Sequence, residues 1–306
     1  MRLVFAGTPS AAVPTLRRLA GEHDIAAVVT RPDAPLGRRR VLTPSPVAQA
    51  AAELGLPVIA AARLDDAVTA AIAELDAELG VIVAYGGLVR EPLLSTPAKG
   101  WINLHFSLLP SWRGAAPVQR ALIAGDPELG ASVFQLVPAL DAGDVFAARV
   151  VDVDEKATAD AALEALSIDG AALTAEVVAA IADGSAVAVP QQGEPTLAPK
   201  LTLDDGLIDW AQPLSRVFAR FRGVTPEPGA HTTVDRLRLK ILEAAPSVGA
   251  DALEPGQIAA TKSALLIGTA SEPLAVTRVQ PAGKGAMNAV DWWRGQRGTE
   301  DLRVGA

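Results

Sequence analysis

The sequence predicts an α/β protein, a doubly wound parallel sheet followed by a smaller β-barrel domain. Two observations carry that reading. In the first half, short and nearly continuous apolar runs alternate with Ala-rich helical stretches, the pattern of parallel strands covered on both faces. After Gly184 the texture changes: residues 184–200 hold three prolines and no helical periodicity, which reads as an extended linker. At 306 residues the chain exceeds the size at which one core keeps growing, so two domains are expected. Their expected bounds are 1–183 and 206–306, with a linker at 184–205.

Taken in order, the runs at 3–6, 25–30, 57–59, 80–84 and 101–105 read as strands. Those at 10–20, 46–54, 116–124 and 158–183 read as helices. In the small domain a helix at 214–222 precedes short alternating segments at 237–242, 264–267 and 274–279, the spacing of a small barrel or sandwich.

Composition excludes several classes. Half of the residues are hydrophobic and a fifth are charged, as in ordinary globular proteins. No stretch approaches eighteen uninterrupted apolar residues and the first residues are too short an apolar run for a signal peptide, so a cytoplasmic protein away from membranes is expected. Nothing in the sequence suggests an obligate protein partner. The chain has no cysteine, which removes disulfides, thiolate nucleophiles and Fe–S clusters. Three scattered histidines, His23, His105 and His231, cannot build a histidine-rich metal site, and no metal is expected.

The net charge of −8 divides unevenly. Residues 1–205 carry 15 basic against 25 acidic side chains, and residues 206–306 carry 12 against 10, so the small domain is the basic one. In Arg236-Leu237-Arg238-Leu239-Lys240 the basic residues alternate with apolar ones and share a face, which suits either a phosphate backbone or plain solvation. Arg38, Arg39 and Arg40 follow Gly37 in a segment flanked by Pro32, Pro35, Pro44 and Pro46, an exposed loop that would raise a local positive field.

Asn103 and His105 end the last parallel strand, and the period of two puts both side chains on one face. Open α/β sheets place their ligands at that carboxyl edge. The next residues, from Phe106 to Gly114, form a loop rich in turn formers. A further turn, Leu140-Asp141-Ala142-Gly143-Asp144, offers a carboxylate able to orient an imidazole, with Asp144 as its alternate. Each feature alone is also compatible with a structural role.

Together these segments are recognisable. The run from Asn103 through Ser107-Leu108-Leu109-Pro110 to Arg120, with Leu140–Asp144, resembles the folate-dependent formyltransferases. So do Phe5-Ala6-Gly7-Thr8-Pro9, Arg31-Pro32-Asp33, Ala84-Tyr85-Gly86, Ile208-Asp209-Trp210 and the stretch from Gln280 to Met287. The resemblance implies a Rossmann-like N-terminal domain, a linker and a small OB-like barrel. It implies 10-formyltetrahydrofolate as formyl donor and the α-amino group of methionyl initiator tRNA as acceptor. It further implies Asn103, His105 and Asp141 as the catalytic set, and Ser107, Leu108, Leu109 and Pro110 against the folate. Arg38, Arg39, Arg40 and Lys200 are expected to face the RNA. An enzyme formylating a nucleotide sugar, or releasing formate to water, would share the first two sets, but neither needs the arginine loop or the basic small domain. His231 stands where the family usually carries an aromatic residue. Gly7-Thr8-Pro9 is not a dinucleotide fingerprint, which argues against a nicotinamide cofactor.

Overall fold

The structure, a computed structural model, describes residues 1–37, 40–247, 249–296 and 302–305. The chain forms two compact units. The first comprises Met1–Pro117, Glu128–Asp152 and Leu163–Ala198, and the second Val118–Pro127, Val153–Ala162 and Pro199–Ala306. The two short internal excursions into the second unit fall inside the range read from the sequence as the first domain.

The first unit opens with β1 (Arg2–Gly7), α1 (Val13–Glu22), β2 (Asp24–Thr30), a hairpin of β3 (Ala34–Leu36) and β4 (Val41–Thr43), α2 (Pro46–Glu53), β5 (Val58–Ala60), α3 (Asp66–Ala73), β6 (Leu79–Val83) and β7 (Trp101–His105). β8 (Arg113–Gly114) follows; α4 (Pro117–Ala124) then falls almost wholly in the second unit, and the first continues with β9 (Leu129–Gln135), β10 (Val145–Val151), all but the first turn of α5 (Ala159–Asp183) and β11 (Leu197–Ala198). The main sheet runs β10-β9-β7-β6-β1-β2-β5. Its five strands β5, β2, β1, β6 and β7 are parallel, and the chain reverses direction across the sheet between β1 and β6, the switch point of a doubly wound fold. β9 and β10 add antiparallel to β7 and to each other.

Local chemistry explains the boundaries. α2 starts at Ser45, whose Oγ accepts from Ala48 N at 3.0 Å, with Pro46 in the first turn. Asp65 caps α3 in the same way. Val4, Ala6, Val29, Ile82, Tyr85 and Trp101 pack as one buried cluster, as strands covered on both faces require. α5, at 25 residues, is long and apolar enough by composition to cross a membrane, yet more than half of its apolar window is buried. Leu166, Leu173 and Val178 are inside, and Arg149 of β10 pairs with Asp169 and Glu176 on its flank.

The segment expected as a basic loop is in part a two-stranded ribbon, Ala34↔Thr43 to Leu36↔Val41, its residues mostly exposed. Arg40 is exposed; Arg38 and Arg39 lie outside the described residues. The stretch expected as a linker is extended, and hydrogen bonds tie part of it into the first unit. Val189 bridges Val145, and β11 pairs in parallel with β8. Proline content predicts extension but not its partner, which lies far away in sequence.

The second unit adds α6 (Leu214–Val224), β12 (His231–Val234), β13 (Leu237–Pro246), β14 (Ile258–Ala260), β15 (Leu265–Ile267), β16 (Leu274–Pro281), β17 (Met287–Asn288) and α7 (Ala289–Arg294). Its antiparallel sheet curls in the order β12-β13-β16-β15-β14, with β17 on β16. Asp235 and Arg236, at φ 48° and 63°, form the two-residue turn that joins β12 to β13 with the twist a hairpin needs. Leu239 and Ile241 face the core while Arg238 is exposed. His231 is buried, its Nδ1 3.1 Å from Gly229 O, so it fills a packing position.

Candidate active site

The site assembles around β7. Trp101, Asn103 and His105 share one face, and their Cα partners on β9 include Phe134 for Asn103 and Ser132 for His105. β9 ends opposite Ile102, at the amino half of β7, so the turn after it must fold back over the sheet to bring Asp141 to His105. The site therefore lies over the β7–β9 face as well as at the carboxyl edge expected from sequence. Gly143 makes this return possible: a Cβ there would stand 1.7 Å from Gln135 O.

His105 is buried, with Nε2 2.8 Å from Trp112 O and Nδ1 3.8 Å from Asp141 Oδ2. A carbonyl oxygen can only accept, so Nε2 carries a proton and Nδ1 is the basic nitrogen. Burial lowers the pKa of this imidazole below the ordinary value of 6.5. The Asp141 charge and the Trp112 carbonyl oppose the shift without cancelling it. The group is neutral at pH 7 and ready to take a proton, with a carboxylate placed to stabilise the cation. Asp141 is held by Gly114 N, which donates to Oδ2 at 2.7 Å. Its backbone is left-handed at φ 45°, a region Asp tolerates better than most residues. Asp144 in the same turn is exposed. Asn103 Oδ1 is buried without a hydrogen-bond partner, an acceptor that burial makes costly unless a ligand donates to it.

The 107–110 loop closes on itself and on β9. Ser107 Oγ donates to Ser111 O at 2.6 Å, Ser132 Oγ donates to Ser107 O at 2.7 Å, and Leu109 N donates to Ser132 Oγ at 3.1 Å. The Ser107 hydroxyl is thus committed inside the loop. Leu108 lies across Gly130 of β9, where a Cβ would come within 2.5 Å of its side chain, so it props the loop, while Leu109 and Pro110 are half-buried. At the switch point Thr8 Oγ1 donates to Tyr85 O at 3.2 Å, joining the Gly7-Thr8-Pro9 and Ala84-Tyr85-Gly86 motifs. Lys200 is exposed and belongs to the second unit. Among the described residues no three His, Asp or Glu side chains group as metal ligands.

Ser132, Gln191 and Thr196 were not singled out by the sequence reading, yet all three hold the site's loops. Thr196 Oγ1 accepts from Trp112 N at 2.8 Å, and Gln191 bonds to Arg113 and to the Asp141 turn.

A doubly wound sheet followed by a second, curled β unit carries an Asn-x-His strand end that faces a carboxylate turn, and the class of protein with these two parts is shown by the family models. The family model described as formyl transferase matches residues 1–178, and that of the formyl transferase C-terminal domain matches 200–297; the chain belongs to the formyl transferase family. It is 63% identical over 296 residues to the methionyl-tRNA formyltransferase of Clavibacter sepedonicus, covering 96% of this chain and 97% of that one. Among the solved structures that share its fold are two formyltransferases. The N-formyltransferase from Helicobacter canadensis, in complex with folinic acid and dTDP-3-aminofucose, superposes with a TM-score of 0.69 at 14% identity over 91% of this chain and 98% of its own. The methionyl-tRNA formyltransferase from Clostridium thermocellum gives 0.57 at 16% identity over 82% and 95%.

Proposed function

We propose that this chain transfers the formyl group of 10-formyltetrahydrofolate to the α-amino group of methionyl initiator tRNA, giving N-formylmethionyl-tRNA in the cytoplasm. The observation that carries the reading is His105, buried and neutral, with its basic Nδ1 beside Asp141 and an unpartnered Asn103 amide oxygen on the same strand face. Full-length identity with the Clavibacter enzyme supports the choice of acceptor.

In this mechanism Asn103 binds the reacting groups: Oδ1 accepts an N–H of the attacking amine and the amide N–H groups stabilise charge developing on the formyl oxygen. The amine nitrogen bonds to the formyl carbon while the bond from that carbon to the folate nitrogen breaks. His105 Nδ1 takes the proton from the attacking nitrogen and returns it to the leaving folate nitrogen, and Asp141 stabilises the imidazolium between the two transfers. The half-buried apolar faces of Leu109 and Pro110, propped by Leu108 and closed by Ser107, suit the flat ring of a reduced folate. The first unit, with the 186–198 stretch that it holds, carries this chemistry, and Arg38, Arg39, Arg40, Lys200 and the basic residues of 206–306 hold the RNA phosphates.

One assay separates the neighbouring activities. With 10-formyltetrahydrofolate as donor and methionyl-tRNA, a nucleotide amino sugar or water alone as acceptor, formylmethionyl-tRNA is the expected product. Formylated sugar, or formate release at the same rate without RNA, would overturn the reading.

A further inference from the structure

Gln191 lies in the extended segment after α5, and its amide uses all four of its hydrogen-bonding capacities. Oε1 accepts from Arg113 Nε at 3.1 Å and from Nη2 at 2.6 Å, while Nε2 donates to Asp141 O at 2.8 Å and to Gly143 O at 2.9 Å. One side chain therefore joins the backbone of the Asp141 turn to the guanidinium of Arg113, and both of the segments it links bear on where the Asp141 carboxylate stands. The first is β8, whose Gly114 N holds Asp141 Oδ2, and the second is the turn that carries Asp141. The rest of the segment fastens the same wall. Val189 bridges Val145 just after the turn, Thr196 O accepts from Arg113 N at 2.9 Å, and Thr196 N donates to Pro110 O at 3.3 Å.

Resting on the formyl-transfer reading of the site, we propose that Gln191 is a positioning residue for the reaction, a clamp that sets the separation of Asp141 from His105. The two faces of its amide have different work. The acceptor face fixes the Arg113 guanidinium. The donor face holds two carbonyls of a turn whose Asp141 sits in a left-handed conformation. A turn released there lets the carboxylate drift while β7 keeps His105 in place.

Gln191→Leu removes both faces at similar volume, and Gln191→Glu keeps the acceptor face while setting a carboxylate against two carbonyls. The clamp requires that both variants lose about 10–100-fold in kcat, with KM for folate and for methionyl-tRNA within about twofold of the parent, since misplacement by an ångström costs rate before binding. A folded Gln191→Glu or Gln191→Leu variant with parental kcat overturns the proposal. A second readout does not depend on turnover. With three histidines in the chain, the ring resonances of His105 can be followed through a pH titration. Asp141 faces Nδ1, the Trp112 carbonyl faces Nε2 and the edge of Phe134 packs against the ring. Loss of the nearby carboxylate moves the His105 midpoint down in both variants. An unmoved midpoint overturns the clamp even if kcat falls, because the loss then has another cause. If the parent transfers no formyl group to any acceptor, the functional reading fails, and the His105 midpoint still decides the role of Gln191.

Discussion

Trp112 takes a left-handed backbone at φ 62°, and this turn aims its carbonyl oxygen at His105 Nε2, 2.8 Å away. For a bulky residue such a conformation costs on the order of 1–3 kcal/mol. The surroundings over-determine it: Thr196 Oγ1 holds Trp112 N, and β8 is paired to β11 immediately afterwards. The strain chooses the imidazole tautomer. Neutral His105 should therefore carry its proton on Nε2, with Nδ1 bare, in the ring ¹⁵N shifts above pH 7. The opposite tautomer would mean that Trp112 O does not accept from this ring, and the assignment of Nδ1 as base would go with it.

The pH dependence follows from the same residue. Burial holds His105 below 6.5, with Asp141 and the Trp112 carbonyl opposing the shift. The unfolded chain titrates near the ordinary value, so at pH below 6.5 it binds more protons than the folded chain and stability falls as the pH drops through that range. Above 6.5 the group is neutral in both states and contributes no slope. Between pH 7.5 and 5.5 the parent should lose stability relative to a His105→Gln variant, measured by urea unfolding. The acid limb of kcat/KM should lie below pH 6.5, and in Asp141→Asn, which removes the attraction, lower still.

Asp141 and Asp144 share a turn but not an environment. Asp141 accepts from Gly114 N and stands beside His105, whereas the Asp144 side chain is exposed. Asp141→Asn keeps a hydrogen-bond acceptor and loses the charge, so its kcat should fall about 100-fold or more. Asp144→Asn should remain within about twofold of the parent, as surface substitutions usually do. Equal losses in the two variants would point to the turn's overall charge rather than to the His105 partner.

Ser132 is fully buried and its hydroxyl both donates to Ser107 O and accepts from Leu109 N. Ser132→Ala leaves these two loop groups without their partner, at about 1–3 kcal/mol. The expected result is a lower unfolding midpoint together with a raised KM for the folate, because the loop that loses its anchor carries Leu109 and Pro110. Unchanged folate KM in a destabilised protein would remove this loop from the donor site.

What could be read beforehand follows from the range over which each signal acts. The five parallel strands, three strands of the small domain and most helices are visible because apolar periodicity is local, whereas β9, β10 and several short strands carry too little of it, and Asn103 and His105 are visible because a period of two on an identified strand sets a face. Asp141 is legible as a turn carboxylate, but its return over the sheet depends on the antiparallel register of β9 and on the Gly143 approach to Gln135. α3, at Asp66–Ala73, escaped the sequence reading: its Ala-rich, weakly amphipathic run carries little periodic signal beyond the Asp65 cap. Ser132 and Thr196 find their partners 23 and 84 residues away, and a serine in a strand or a threonine in a proline-rich stretch announces neither. Gln191 is illegible for the same reason.

Arg40 ends the turn of an exposed ribbon, and Arg38 and Arg39 precede it in the sequence while lying outside the described residues. The net charge of the chain is −8, so the surface as a whole repels RNA and attraction concentrates where basic residues cluster. If these three side chains neutralise phosphates, replacing them together with alanine removes three counterion-release terms. The slope of log affinity for methionyl-tRNA against log salt should then become shallower by roughly 2–3 units. Because phosphate contacts carry no sequence information, the loss should be similar for initiator and elongator tRNA. A loss confined to the initiator species would mean that the arginines read the end of the acceptor stem, whose unpaired or weakly paired bases are open to a loop. Unchanged slope and affinity would show that they are solvated and take no part in holding RNA.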